Sequence, residues 1–263
     1  IIAEGASLYV PVIIIDPVGE FTGLIHANED APKERQFRLP RGLGYQPQIY
    51  TLDDEGVQFN ANLLLKPDLS EDLPEGSLVT AADEVSVILS DLVGDLRFRD
   101  IFREILLQNW HDEKPITCEE FIEACRRKAE GLKTSVKLDR LLQFKALMTG
   151  EALNVEELLE KGLVVFSLNS HLYTDIQRLA TVWFILRQIL NYFLSQPHSD
   201  ATKGVVIADE LHRLYAEGAP RSAASVLENM VKQGRAKGLG VVLISQSLHD
   251  LPGILTQANL RIL

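Results

Sequence analysis

The chain is short of cysteine, of basic charge and of long apolar runs, and each shortage closes off a class of protein. Its two cysteines, Cys118 and Cys125, lie seven apart in TCEEFIEACRRK. Seven residues is about two helical turns, so both thiols take one helix face and stand too far apart for a disulfide. No His or Cys cluster has zinc spacing. A disulfide scaffold and a zinc module are both excluded, and reduced thiols in a cytosolic protein are the expectation. Lysine and arginine total 26 against 37 aspartates and glutamates, a net charge of −11. That argues against a nucleic-acid binder that works through a basic surface, while leaving open a ring with a few basic residues facing its channel. There is no run of about 18 apolar residues, and the N-terminus has no basic region leading into an apolar one. Neither a membrane span nor a signal peptide is expected.

One further absence matters more for function. The phosphate-loop pattern G-x-x-x-x-G-K-[ST] occurs nowhere. The nearest string, EGLKTS (130–135), places Leu132 between Gly131 and Lys133 and follows no strand.

With 46% hydrophobic residues, the chain can bury a full core. Residues 1–9 read as the end of a helix, and Val10 to Asp16 as a buried strand broken by Pro17 and Gly19. Residues 25–48 are polar and loop-like, with short strands near Gln48–Leu52 and Val57–Asn60. From 81 to 160 the periodicity turns helical, with Thr117/Glu120 in a capping-box pattern and Asn154/Glu157 in a similar one. Scaffold and oligomer contact is the expected role of this stretch. After Gly162, strand and helix alternate: LVVFSL (163–168), a long helix at 174–194, KGVVIADE (203–210), a helix at 222–238, LGVVLISQ (239–246), and a last strand at NLRIL (259–263). Apolar strands alternating with helices predict a parallel sheet covered on both faces. The expected division is 1–80 and 161–263 as two parts of one α/β core, with 81–160 as an inserted all-helical subdomain.

Ligands of open α/β sheets sit at the carboxyl ends of strands. Three strands here end in polar residues: Asp16, Asp209-Glu210 and Ser245-Gln246. Adjacent acids at a strand end suit a magnesium-nucleotide site, the first ordering the metal and the second polarising a water. The plain structural alternative is a helix N-cap for Asp209-Glu210 and a turn residue for Asp16.

VPVIIIDPVGEFTGL, KGLVVFSLNS, GVVIADELHRL and KQGRAKGLGVVLISQSLHDLP, in that order, resemble successive motifs of HerA-type ATPases, in the HerA/FtsK branch of P-loop motors. The resemblance implies a RecA-like fold that uses ATP and Mg²⁺. It assigns Asp209 and Glu210 as the Walker B pair, metal-shell acid and general base, and Gln246 as sensor. It places Asp16 near the nucleotide. It makes Arg235 or Lys237 of GRAKG the basic residue offered to a neighbouring subunit, whose plain alternative is a pair complementing a helix C-terminus. It further implies a ring, a hexamer by expectation, that translocates double-stranded DNA and acts with a nuclease in DNA-end processing or defence. A secretion or conjugation ATPase of the same superfamily and a non-catalytic assembly subunit are the alternatives. In the family the phosphate loop immediately precedes the IIIDPVGEF strand, so this sequence reads as an internal segment beginning just after it. Arg99/Arg103 and Arg126-Arg127-Lys128 are expected on solvated faces. The loop YAEGAPRS, with Arg221 its basic residue, is the expected pore loop.

Overall fold

The computed structural model describes residues 7, 9–25, 47–52, 57–67, 76–130, 135–170, 173–209 and 221–245. Its frame is one six-stranded sheet. β1 (Val12–Asp16), β2 (Gln48–Thr51), β3 (Val57–Gln58), β4 (Leu163–Ser167), β5 (Gly204–Ala208) and β6 (Leu239–Leu243) are arranged in the order β3-β2-β4-β1-β5-β6. Every pairing is parallel. The expected strand at 57–60 stops at Gln58. Phe59 instead turns inward and packs against Phe166 and Phe184.

The central strands are runs of β-branched residues because both their faces are buried. On one face, Ile13, Ile15, Val164, Phe166, Val206 and Ala208 join the main core. On the other, Val12, Ile14, Leu163, Val165 and Ile207 form a second cluster, packed by Phe21 and Leu24 of the 3-10 turn Phe21–Ile25. The four apolar side chains of β1 are at most 1% exposed. Their burial contributes on the order of 6–12 kcal/mol before chain entropy is subtracted.

Between β3 and β4 the described chain is helical. It runs through α1 (Gly76–Val93), α2 (Arg99–His111), α3 (Cys118–Lys128), a 3-10 stretch at Ser135–Leu147 and α4 (Val155–Glu160). The Thr117/Glu120 capping box forms as expected, while Asn154 caps α4 through its side chain alone. Within the expected helical region 81–160, the stretch Ser135–Leu147 is 3-10 rather than α-helical. It kinks at Phe144 so that Leu147, Met148 and Gly150 can pair with 61–63, where Leu63 N–H donates to Leu147 (2.8 Å) and Asn62 Nδ2 to Gly150 (2.9 Å). Tertiary pairing overrides local helix propensity there. Cys118 and Cys125 are free thiols buried on α3.

After β4, α5 (Asp175–Ser195) starts from a Thr174/Gln177 capping box that the sequence reading missed. α6 (Arg221–Gln233) follows β5 and tightens into the 3-10 turn Gly234–Lys237 before β6. Among the described residues, no helix is long and apolar enough to cross a membrane.

Gly238 makes the turn into β6 with φ +85°, and its carbonyl accepts the Lys203 N–H at 2.7 Å. A Cβ there would stand 2.7 Å from the Ala201 carbonyl oxygen. Gly238→Ala is therefore expected to lower stability by about 1–3 kcal/mol, read from urea unfolding.

Candidate functional site: the carboxyl edge of the sheet

Parallel register lines up the strand ends. Thr51 pairs with Ser167, and Ser167 with Asp16. Ile15 pairs with Ala208, and the Asp209 N–H donates to the Ile15 carbonyl at 3.1 Å, so Asp209 stands beside Asp16. Ile244 N–H donates to Ala208 at 2.9 Å, which brings Ser245 to the same edge. The result is a row of polar residues across five strands, and Thr51, Ser167, Asp16 and Asp209 within it are buried. Apolar strand bodies ending together in polar side chains make this edge the place where the fold can hold a polar ligand. Sequence reading found Asp16, Asp209 and Ser245 but not Thr51 or Ser167. Their signal was the same, a hydroxyl closing an apolar run. Glu210 and Gln246 lie outside the described residues.

Asp16 is fully buried, and its carboxylate is committed to the loop that follows it. Oδ1 accepts the N–H groups of Val18 (3.2 Å) and Gly19 (2.7 Å), and Oδ2 accepts that of Phe21 (2.8 Å). Gly19, at φ +88°, completes the turn. A Cβ on Gly19 would sit 3.0 Å from the Asn169 side chain, just beyond β4. The turn-residue reading of Asp16 thus describes its contacts, and it fixes DPVGEF against the polar row.

Arg235 and Lys237 sit at the other end of the sheet. Both precede the first residue of β6, whereas Asp16 is the last residue of β1 and Asp209 follows the last residue of β5. A five-residue strand at about 3.3 Å per residue puts roughly 16 Å between the two edges. Lys237 Nζ donates to the carbonyl of Gln196, the C-cap of α5, at 2.7 Å. Orphan carbonyls at a helix C-terminus favour such a cation. Arg235 is exposed and forms no ion pair among the described residues. Within one chain neither residue meets the acid-bearing edge.

The other basic groups are mostly paired. Arg99 and Arg103 face Asp83, Arg126 faces Glu123 and Asp139, and Lys128 faces Glu104. The faces are solvated as expected and also carry ion pairs, worth about 0–1 kcal/mol each.

Removing the Asp16 carboxylate strips three backbone donors of their acceptor. Asp16→Ala is expected to cost about 2–3 kcal/mol in chemical denaturation. Asp16→Asn, which keeps one acceptor oxygen, is expected to cost less.

No protein-family description and no curated protein matches the chain. Solved structures do. VirB4 of Thermoanaerobacter pseudethanolicus superposes with a TM-score of 0.64 at 18% identity, over 95% of this chain and 66% of that one. The bacterial conjugative coupling protein TrwBΔN70, in its unbound monoclinic form, superposes with a TM-score of 0.52 at 17% identity, over 96% of this chain and 59% of that one. The chain thus spans less than two thirds of the length of either structure. At these identities the likeness is one of fold, and the fold is RecA-like, an all-parallel sheet flanked by helices.

Proposed function

We propose that this chain is part of a RecA-like motor ATPase of the secretion or conjugation kind. The observation that carries the reading is the polar row at the carboxyl edge, with Asp209 beside the Asp16 turn, in a fold shared along nearly the whole chain with VirB4 and a conjugative coupling protein. The fold likeness favours this over the HerA-type reading, which the motif order in the sequence supports. In that second reading the same site drives a translocase on double-stranded DNA, alongside a nuclease.

The donor chemistry fits Mg²⁺ with a nucleotide. Among the described residues, no three His, Cys, Asp or Glu side chains converge into a metal cage. Magnesium in nucleotide sites is held by one or two carboxylates plus phosphate oxygens and water, so a single strand-end acid suffices. When bound, Mg-ATP supplies the phosphoryl group and the charge neutralisation that its transfer needs. In this reading Asp209 orders the metal's water shell, Glu210 polarises the attacking water, and Gln246 contacts the terminal phosphate. Asp16 acts as a positioning residue, holding the loop 17–21 beside Asp209. The phosphates would be cradled by a phosphate loop contributed from outside this sequence.

We propose that Arg235, rather than the engaged Lys237, reaches a neighbouring subunit's nucleotide in a ring, a hexamer in this reading; its exposure at the opposite edge supports the choice. Exposed guanidinium and occupied ammonium separate the two.

Two assays test this in the protein carrying a phosphate loop. Glu210→Gln should keep nucleotide binding and lose about 10²–10⁴ in turnover, the usual effect of removing a positioned base. Near-normal hydrolysis would sink the assignment. Arg235→Ala should cut turnover by roughly 10³-fold, and mixing it with Glu210→Gln subunits should restore part of it, because some mixed interfaces pair an intact base with an intact arginine. Full activity of Arg235→Ala would remove the trans role. Stimulation of turnover by duplex DNA alone would favour the second reading.

A further inference from the structure

At the amino edge of the sheet, two exposed cations without acid partners stand beside an exposed tyrosine. Lys203 immediately precedes β5, and Arg235 lies in the turn before β6. The Lys203 N–H donates to the Gly238 carbonyl at 2.7 Å, and the Gly238 N–H to the Arg235 carbonyl at 3.1 Å. A Cβ on Gly238 would meet Lys203 Cγ at 3.0 Å, so the lysine stem lies against the turn that carries Arg235. Tyr9 enters from the β1 side. Pro11, just after it, gives its carbonyl to the Val205 N–H at 2.9 Å, which sets the start of β1 beside the start of β5. Tyr9 is 87% exposed, more than any other large apolar side chain among the described residues. Lys203 and Arg235 are exposed too. Among the described residues neither meets an acid, although the exposed acids Asp200 and Glu160 lie on adjoining segments.

The opposite edge presents the complement. Glu20 is exposed in the turn that Asp16 holds, and its carboxylate makes no ion pair or hydrogen bond among the described residues. The N–H groups of Val18, Gly19 and Phe21 are bound to Asp16, so the backbone on either side of Glu20 is fixed. Tyrosine and arginine are the side chains that protein interfaces concentrate, since they bury a large area and keep a polar head. With uncommitted cations at one end of the sheet and an uncommitted acid at the other, the chain is complementary to a second copy of itself in head-to-tail order.

We propose that Tyr9, Lys203 and Arg235 form the subunit contact of the ring, docking on the carboxyl edge of a second copy with Lys203 facing that copy's Glu20. This contact rests on the ring reading and supplies its residues. Tyr9 covers area, Lys203 fixes the register of one copy on the next, and Arg235 between the two copies is left to reach the bound nucleotide.

The test reads association and not turnover. In the protein carrying a phosphate loop, assembly is followed by sedimentation velocity over a range of concentrations and ionic strengths. Charge reversal is the informative change, because losing one exposed pair has a small effect whereas facing like charges repel. Lys203→Glu should weaken association by roughly tenfold or more, and Glu20→Lys should do the same. The chain carrying both exchanges should regain association, since the pair is restored with its signs reversed. Tyr9→Ser should weaken association and leave its salt dependence unchanged. An unaltered urea midpoint shows that each variant keeps the fold, and Lys203→Gln or Glu20→Gln replaces a reversal that does not. Unchanged association in the folded single variants overturns the contact, and so does a double variant no better than the singles. An unmodified protein that stays monomeric overturns it as well. Normal hydrolysis by Glu210→Gln, by contrast, removes the nucleotide reading and leaves the contact standing.

Discussion

The polar row at the carboxyl edge depends on the parallel register of β1 with its two neighbours. Val12 through Asp16 pair with Leu163 through Ser167 on one side, and Val12 through Ile15 with Val205 through Ala208 on the other. In a parallel sheet all strands finish at the same edge, so register converts four separate strand ends into one row of Thr51, Ser167, Asp16 and Asp209. The register is itself held by burial on both faces. A one-residue slip would exchange the Ile13/Ile15 side with the Val12/Ile14 side, and because the two clusters differ greatly in size the exchange is costly.

The strands were legible because VIIID, LVVFS and GVVIA are β-branched runs bounded by turn residues, a pattern a doubly covered strand requires. The placement of the polar row followed from topology, which sequence alternation also announces. What sequence could not show was the use made of each polar group. Asp16 reads the same whether it holds a metal shell or a loop, and only the three N–H groups converging on its oxygens reveal its contacts. Lys237 likewise reads as a candidate finger until Gln196, distant in sequence, appears against it. The stretch 135–147 misled for a different reason. Its helical periodicity is real, but the strand-like contacts of Leu147 and Met148 with 62–63 outweigh it.

The fold separates its strand-end acids from the exposed Arg235 in space. Acids gather at the carboxyl edge, the exposed guanidinium of Arg235 lies at the amino edge, and α5 runs beside both. A single chain with this layout is polar in the geometric sense. A second copy set with its amino edge against the first copy's carboxyl edge would bring together groups that one copy keeps about 16 Å apart. Head-to-tail contacts of that kind are heterologous, and they close into rings when the rotation per subunit allows.

The ion pairing of the helical block has an electrical consequence. Affinity for nucleic acid comes largely from cations that displace condensed counterions, and each such contact adds to the salt dependence of binding. Arg99, Arg103, Arg126, Lys128, Lys137 and Lys145 each face an acid of the same chain, Arg99 and Arg103 sharing Asp83. A phosphate backbone laid on this block would have to break those pairs first, so little ion release would accompany the contact. A polyanion would therefore find a weaker counter-charge on this face than its count of lysines and arginines suggests.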